Sequence, residues 1–190
     1  MNLFLLIGAY LLAFFLILCG LWMIVPYFYG LPWLPTSMAR IRKGLEMAKL
    51  QPGETLYDLG AGDGRVLFMA AEEFGARAIG IEAAWMQYLY ILGRIFLSSR
   101  QAQIRVRRES FYPTDLSDAD VVFAFFTSKQ VLMIQDRLAE NLKPGARLIA
   151  ISADFPAWKP IDFDREELIF VYEMPPQEGG LAAYLAEQNL

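Results

Sequence analysis

The chain has 190 residues, 56% of them hydrophobic and 20% charged, with a formal net charge of −4, one cysteine and no histidine. That length suits a single domain, the composition excludes a disordered or collagen-like chain, and the acidic balance argues against a nucleic-acid partner. Without imidazole and with Cys19 alone, Ser-His and Cys-His nucleophilic pairs, imidazole metal sites and an internal disulfide framework all fall away, so no metal is expected.

The hydrophobic excess is concentrated at the N-terminus, where residues 1–39 contain no Lys, Arg, Asp or Glu. Residues 3–25 form an apolar run that, at about 1.5 Å per residue, can cross a hydrocarbon core of about 30 Å. A positive leading region, a short apolar core and a small-residue cleavage site are missing, which favours a retained single-pass anchor over a cleaved signal. Tyr27, Tyr29 and Trp33 suit the headgroup level. The expected division is therefore 1–33 as transmembrane anchor and interfacial linker, and 34–190 as one folded domain. Arg40, Arg42, Lys43 and Lys49 follow the span while only Met1 and Asn2 precede it. The positive-inside rule then puts the folded domain on the cytoplasmic side. The lack of an Arg-rich, acid-poor presequence favours a prokaryotic plasma membrane over a mitochondrial inner membrane.

Beyond a linker at 30–35, Thr36 or Ser37 can cap a helix with apolar positions Met38, Ile41, Leu45 and Ala48. Residues 55–59 read as a buried strand, 65–73 as a helix and 76–82 as a second strand. A long helix follows over 84–98, with a narrow polar stripe at Gln87, Arg94 and Ser98. Its Trp85, Tyr88, Tyr90 and Phe96 are expected to pack on the sheet, with the bilayer or a membrane substrate as the other partner of this helix. Strands are expected at 104–108, 121–126 and 147–152, a helix at 131–142, and a closing strand pair at 167–172 and 181–187. Alternating strands and helices imply a Rossmann-like α/β fold with a mostly parallel sheet, and the closing pair an antiparallel C-terminal edge.

The most informative stretch is Leu56-Tyr57-Asp58-Leu59-Gly60-Ala61-Gly62-Asp63-Gly64-Arg65. Glycines after a strand let the backbone turn sharply and approach a ligand. Their spacing is G-x-G-x-G, not the dinucleotide G-x-G-x-x-G, and Asp58 and Asp63 would repel a pyrophosphate while favouring a cationic ligand. Glu82, ending the second strand, is placed to accept hydrogen bonds from ribose hydroxyls.

This order of strand, acidic glycine turn, helix, strand and terminal Glu resembles the class I S-adenosyl-L-methionine-dependent methyltransferases. Pro35-Thr36, Arg40-Ile41-Arg42-Lys43, Gln51-Pro52-Gly53-Glu54, Arg107-Arg108-Glu109 and Phe155-Pro156-Ala157-Trp158 make it similar to the membrane-anchored lysine methyltransferases of adenine nucleotide translocase and ATP synthase subunit c. The resemblance implies S-adenosyl-L-methionine as cofactor. Asp58, Gly60, Ala61, Gly62, Asp63 and Gly64 would form the methionine-side turn and Glu82 would hold the ribose. Glu109 and Ser110 would lie by the adenine, with Ser110 where the family usually has an acid. The implied partners are the bilayer and a membrane-protein substrate. The Asn-Pro-Pro-Tyr type of motif used on amide or base nitrogens is missing.

A lysine acceptor, with a reference pKa of about 10.4, must lose a proton before it attacks. Asp63, Glu109, Tyr112, Thr127 and Asp154 are the candidates for the pocket or proton acceptor, with Glu109 preferred as catalytic residue. A lipid or lipophilic small molecule is the alternative acceptor, and a non-catalytic cofactor-binding factor the alternative class.

Overall fold

The computed structural model describes residues 3–28 and 36–188. The linker expected at 30–35, with Tyr29 and Trp33, lies outside the described residues, as does the side chain of Tyr27. Helix α1 (Leu3–Phe28) carries no charged residue. Its stretch Leu3–Leu21 has a mean hydropathy of 2.7, is unburied by the protein, and is long and apolar enough to cross a membrane.

Helix α2 (Met38–Met47) begins at Ser37, whose side chain accepts a hydrogen bond from the Arg40 amide at 3.2 Å. Its basic residues are engaged within the protein. Arg42 forks onto both oxygens of Glu73 at 2.7 Å, Lys43 pairs with Asp164, and Arg40 donates to Ser152 Oγ at 2.9 Å.

Five strands then run parallel: β1 (Thr55–Leu59), β2 (Arg77–Ile81), β3 (Ile104–Arg107), β4 (Val121–Phe125) and β5 (Arg147–Ile151). Between them lie α3 (Arg65–Glu72), α4 (Trp85–Leu97) and α5 (Ser128–Asn141). The chain closes with β6 (Trp158–Lys159), β7 (Asp162–Asp164), β8 (Ile169–Glu173), β9 (Gln177–Glu178) and α6 (Gly180–Glu187). The main sheet has the order β3-β2-β1-β4-β5-β8-β7, with β8 and β7 antiparallel, and β6 pairs with β9 apart from it. This is the Rossmann-like α/β fold with the antiparallel C-terminal edge expected from the sequence.

β1 is buried at every residue because strands flank it and helices cover both faces. Ile41, Leu45, Leu67, Met69 and Ile91 fill one face, and Val131, Ile134 and Leu138 of α5 help fill the other.

Two expectations are corrected. Residues 181–187 form a helix rather than a strand, because the Leu- and Ala-rich run favours helix and holds no β-branched residue. The outer neighbour of β8, which also pairs antiparallel with β5, is instead β7, a three-residue strand too short to signal itself.

The second correction concerns α4. Its polar stripe faces inward: Gln87 and Ile91 are buried, and Arg94 lies over the Phe68 ring at 4.0 Å. Of the aromatics expected against the sheet, Trp85 and Tyr90 are exposed and Phe96 is 81% exposed, while Tyr88 is partly buried.

Candidate active site

The first parallel strand delivers its C-terminal end directly into the glycine turn. Gly60 and Ala61 amides both donate to the Ile81 carbonyl, at 2.9 and 3.0 Å, tying the turn to the end of β2. Gly60, Gly62 and Gly64 have φ of 88°, 57° and 79°, left-handed values that side-chain-bearing residues rarely adopt. A Cβ on Gly60 would meet nothing within 4 Å, so the turn has open space where a ligand can approach.

Glu82 follows β2 and is nearly buried. Its Oε2 accepts from the Gly62 amide at 2.7 Å and its Oε1 from the Ala84 amide at 2.8 Å. One carboxylate therefore fixes the apex of the turn and the entrance to α4, with lone pairs remaining for a ligand hydroxyl. Burial pushes this carboxyl above its ordinary range, while the backbone N–H donors pull it back.

Asp58 is buried, and burial first, then the nearby Glu82 and Asp63 charges, raise its carboxyl well above the usual range. The described surroundings give it negative neighbours and no cationic one. A ligand bearing a sulfonium or ammonium group would supply the missing positive charge, so the residues present fit S-adenosyl-L-methionine.

Asp63 is engaged differently. Arg65 grips its carboxylate at 2.5 to 3.1 Å and also donates to the Thr36 carbonyl at 2.7 Å, while Arg94 donates to the Asp63 carbonyl at 2.6 Å. Burial raises the Asp63 carboxyl, yet the Arg65 hydrogen bonds and the charges of Arg65 and Arg94 outweigh it and hold the group below its ordinary value. These contacts tie the turn to Thr36, just before α2, and to α4. Glu109 and Ser110 lie just past β3. Glu109 is half-exposed and 4.0 Å from Arg107, and Ser110 Oγ accepts the Tyr112 amide at 3.4 Å.

Topology gathers the remaining candidates at the same end of the sheet, because each follows a parallel strand. Tyr112 follows β3 and packs tilted against Phe111, with ring centroids 4.4 Å apart. Thr127 after β4 forms a capping box with Gln130, which makes it the start of α5. Asp154 after β5 precedes Phe155, whose ring stacks on Trp158 at 4.4 Å and whose amide donates to Tyr172 Oη at 2.9 Å.

The sequence reading gave Arg65, Arg94 and Gly80 no role at the site. The signal for Gly80 was a glycine inside a strand. A Cβ there would sit 2.7 Å from Leu67 Cδ1 and 2.9 Å from Ala61 Cβ, so its lack of a side chain lets the turn settle on β2.

The raised Asp58 carboxyl has a thermal consequence. Between the ordinary carboxylate range and its folded value, the folded state binds the proton that the unfolded state has released, so stability falls as pH rises. Asp58→Asn without cofactor should melt higher than wild type at pH above that folded value, and the two should converge near pH 4. Melting curves across pH check this; a variant that melts lower at every pH would contradict it.

A family model described as the ANTKMT methyltransferase domain matches residues 58–162. A protein-lysine N-methyltransferase of Saccharolobus islandicus (strain REY15A) is 30% identical over 70% of this chain and 84% of its own. The adenine nucleotide translocase lysine N-methyltransferase of Mus musculus is 28% identical over 72% of this chain, which spans 59% of that longer protein. Among solved structures, an RNA methyltransferase from Salinibacter ruber in complex with S-adenosyl-L-homocysteine superposes with a TM-score of 0.73 and 26% identity. That match covers 77% of this chain and 97% of the other.

Proposed function

Because the chain belongs to the ANTKMT methyltransferase domain family, we propose that it methylates the side-chain amine of a lysine on a membrane-associated protein. The chain is an S-adenosyl-L-methionine-dependent methyltransferase. The observation that carries the cofactor site is the acidic turn, in which buried Asp58 faces acidic neighbours and Glu82 fastens the Gly62 amide at 2.7 Å. In this reading 34–190 is the catalytic domain and 1–33 its anchor and linker, with the domain on the cytoplasmic side.

Bound there, S-adenosyl-L-methionine supplies an electrophilic methyl group on a sulfonium. The chain's own residues have the work of holding and orienting. Gly60 leaves the backbone open to the ligand, Glu82 accepts from the ribose hydroxyls, and Asp58 balances positive charge on the methionine side. Glu109 and Ser110, just past β3, would lie by the adenine. Because the displacement is in line, orientation supplies much of the rate. The acceptor amine must arrive neutral, and desolvation beside a cation lowers its pKa. Glu109 takes its proton in this reading, since the side chain is half-exposed and its pairing with Arg107 spans 4.0 Å. Thr127 is set aside as a helix cap, and Asp63 as the partner of Arg65.

The test uses methyl-labelled S-adenosyl-L-methionine with native membranes and full-length protein. Wild type should label a protein band at lysine, Gly62→Arg should label nothing, and Glu109→Gln should bind cofactor yet transfer poorly. Label found only in the organic extract would overturn the lysine reading in favour of a lipid or lipophilic acceptor. Cofactor binding without any transfer would favour a non-catalytic factor.

A further inference from the structure

The outward face of α4 is apolar where a solvated helix would be polar. Trp85, Leu89, Leu92 and Phe96 recur at helical spacing along it, all exposed, and Leu97 is 83% exposed beside them. Singly exposed apolar side chains need no explanation, but a contiguous stripe marks an interaction surface.

Two further observations bear on what this face would meet. The first is charge. Residues 85–108 contain five arginines and no acid, in a chain whose net charge is −4. Arg94 turns inward to the glycine turn, while Arg100, Arg105, Arg107 and Arg108 are exposed. Among the described residues, these four have one carboxylate in ion-pair range, Glu109 at 4.0 Å from Arg107. The contrast with α2 is direct, since Arg42 and Lys43 there are paired within the protein.

The second is position. Thr36, where the described domain begins, accepts from Arg65; Arg65 holds Asp63; and the Asp63 carbonyl accepts from Arg94 of α4. The chain from α1 therefore enters the domain three polar contacts away from α4. β3, the adjoining strand, is the edge of the sheet, so its arginines and α4 form one end of the molecule.

We propose that this end, α4 with the β3 edge, docks on an anionic lipid bilayer. The apolar stripe enters the headgroup–acyl boundary, and Arg100, Arg105, Arg107 and Arg108 meet the acidic headgroups. This rests on the reading of α1 as a membrane anchor, which confines the domain to the surface and makes a weak second contact effective. Docking there brings the cofactor turn, joined to α4 through Arg94 and Glu82, to the membrane surface.

The test uses the full chain with Cys19→Ser, reconstituted in phosphatidylcholine vesicles with or without phosphatidylglycerol. An environment-sensitive label is placed at Phe96→Cys or, on the opposite side of the sheet near β7, at Ile161→Cys. In vesicles containing phosphatidylglycerol, a lipid-borne quencher should quench the 96 label about fivefold more than the 161 label. Changing Arg100, Arg105, Arg107 and Arg108 together to Gln should abolish the difference, and each single change should weaken docking on the order of fivefold. Equal exposure of both labels to an aqueous quencher would overturn the proposal. So would a 96 label shielded from aqueous and lipid quenchers alike, which points to a protein covering the face, or one protected by added RNA. Retention in the membrane after alkaline carbonate reports on the anchor separately, so either reading can fail alone.

Discussion

Glu82→Ala should remove measurable S-adenosyl-L-methionine binding from an otherwise folded protein. Two losses combine. The expected hydrogen bonds from ribose hydroxyls to a carboxylate disappear, each contributing about 1.5–3 kcal/mol. The Gly62 and Ala84 amides also lose their acceptor, so the turn no longer holds its shape before the ligand arrives. Together these give a loss of about 3–5 kcal/mol, or about two to four orders of magnitude in affinity. Glu82→Gln keeps one carbonyl acceptor but turns an amide donor towards a backbone N–H, and should fall between wild type and Ala. Calorimetric titration of the full-length protein, well below each variant's melting temperature, measures this. An Ala variant within tenfold of wild type would remove Glu82 from the cofactor site.

Gly80→Val should produce the largest loss of stability. Its Cβ alone would come within 2.9 Å of Ala61 Cβ and 2.7 Å of Leu67 Cδ1. Leu67 can shift a terminal methyl, but Ala61 is held by its amide hydrogen bond to Ile81 at 3.0 Å and can move only if the turn moves. Overpacking of this kind costs about 3 kcal/mol, which in a domain of this size lowers the melting temperature by about 6–12 °C. Because the displaced residue belongs to the turn, cofactor affinity should fall with it. Gly80→Ala should show a smaller version of both effects. A Val variant that melts like wild type would mean that the turn does not rest on β2.

The parallel part of the fold and the glycine turn were readable in the sequence for physical reasons. Strands buried on both faces read as apolar runs, and glycines after the first of them mark a turn with left-handed backbone. The position of Glu82 directly after β2 was legible too, and its hydrogen bonds to the Gly62 and Ala84 amides were not. What sequence could not supply was the partner of each charge. Arg65 grips Asp63 and Gln130 completes a capping box with Thr127, pairings that no spacing in the sequence announces. Arg94 interrupts an apolar helix, and hydrophobicity alone assigns it to solvent. It turns inward because the Asp63 carbonyl and the Phe68 ring accept it. The C-terminal segment misled because strands of two and three residues carry no periodicity, while an Ala-rich helix can be mistaken for the strand needed to complete a pair.

The central position of β1 also governs the kinetics of assembly. Leu56 pairs with Ala78 on one side and Val121 on the other, and β4 in turn needs β5, which needs β8. Each step closes a longer loop than a hairpin does, and folding slows as contacts become less local. During synthesis the glycine turn emerges long before β4, so it waits with one flank of its strand unpaired. Formation of the cofactor site therefore follows release of most of the chain from the ribosome, and the exposed apolar strands of that interval are where folding competes with aggregation.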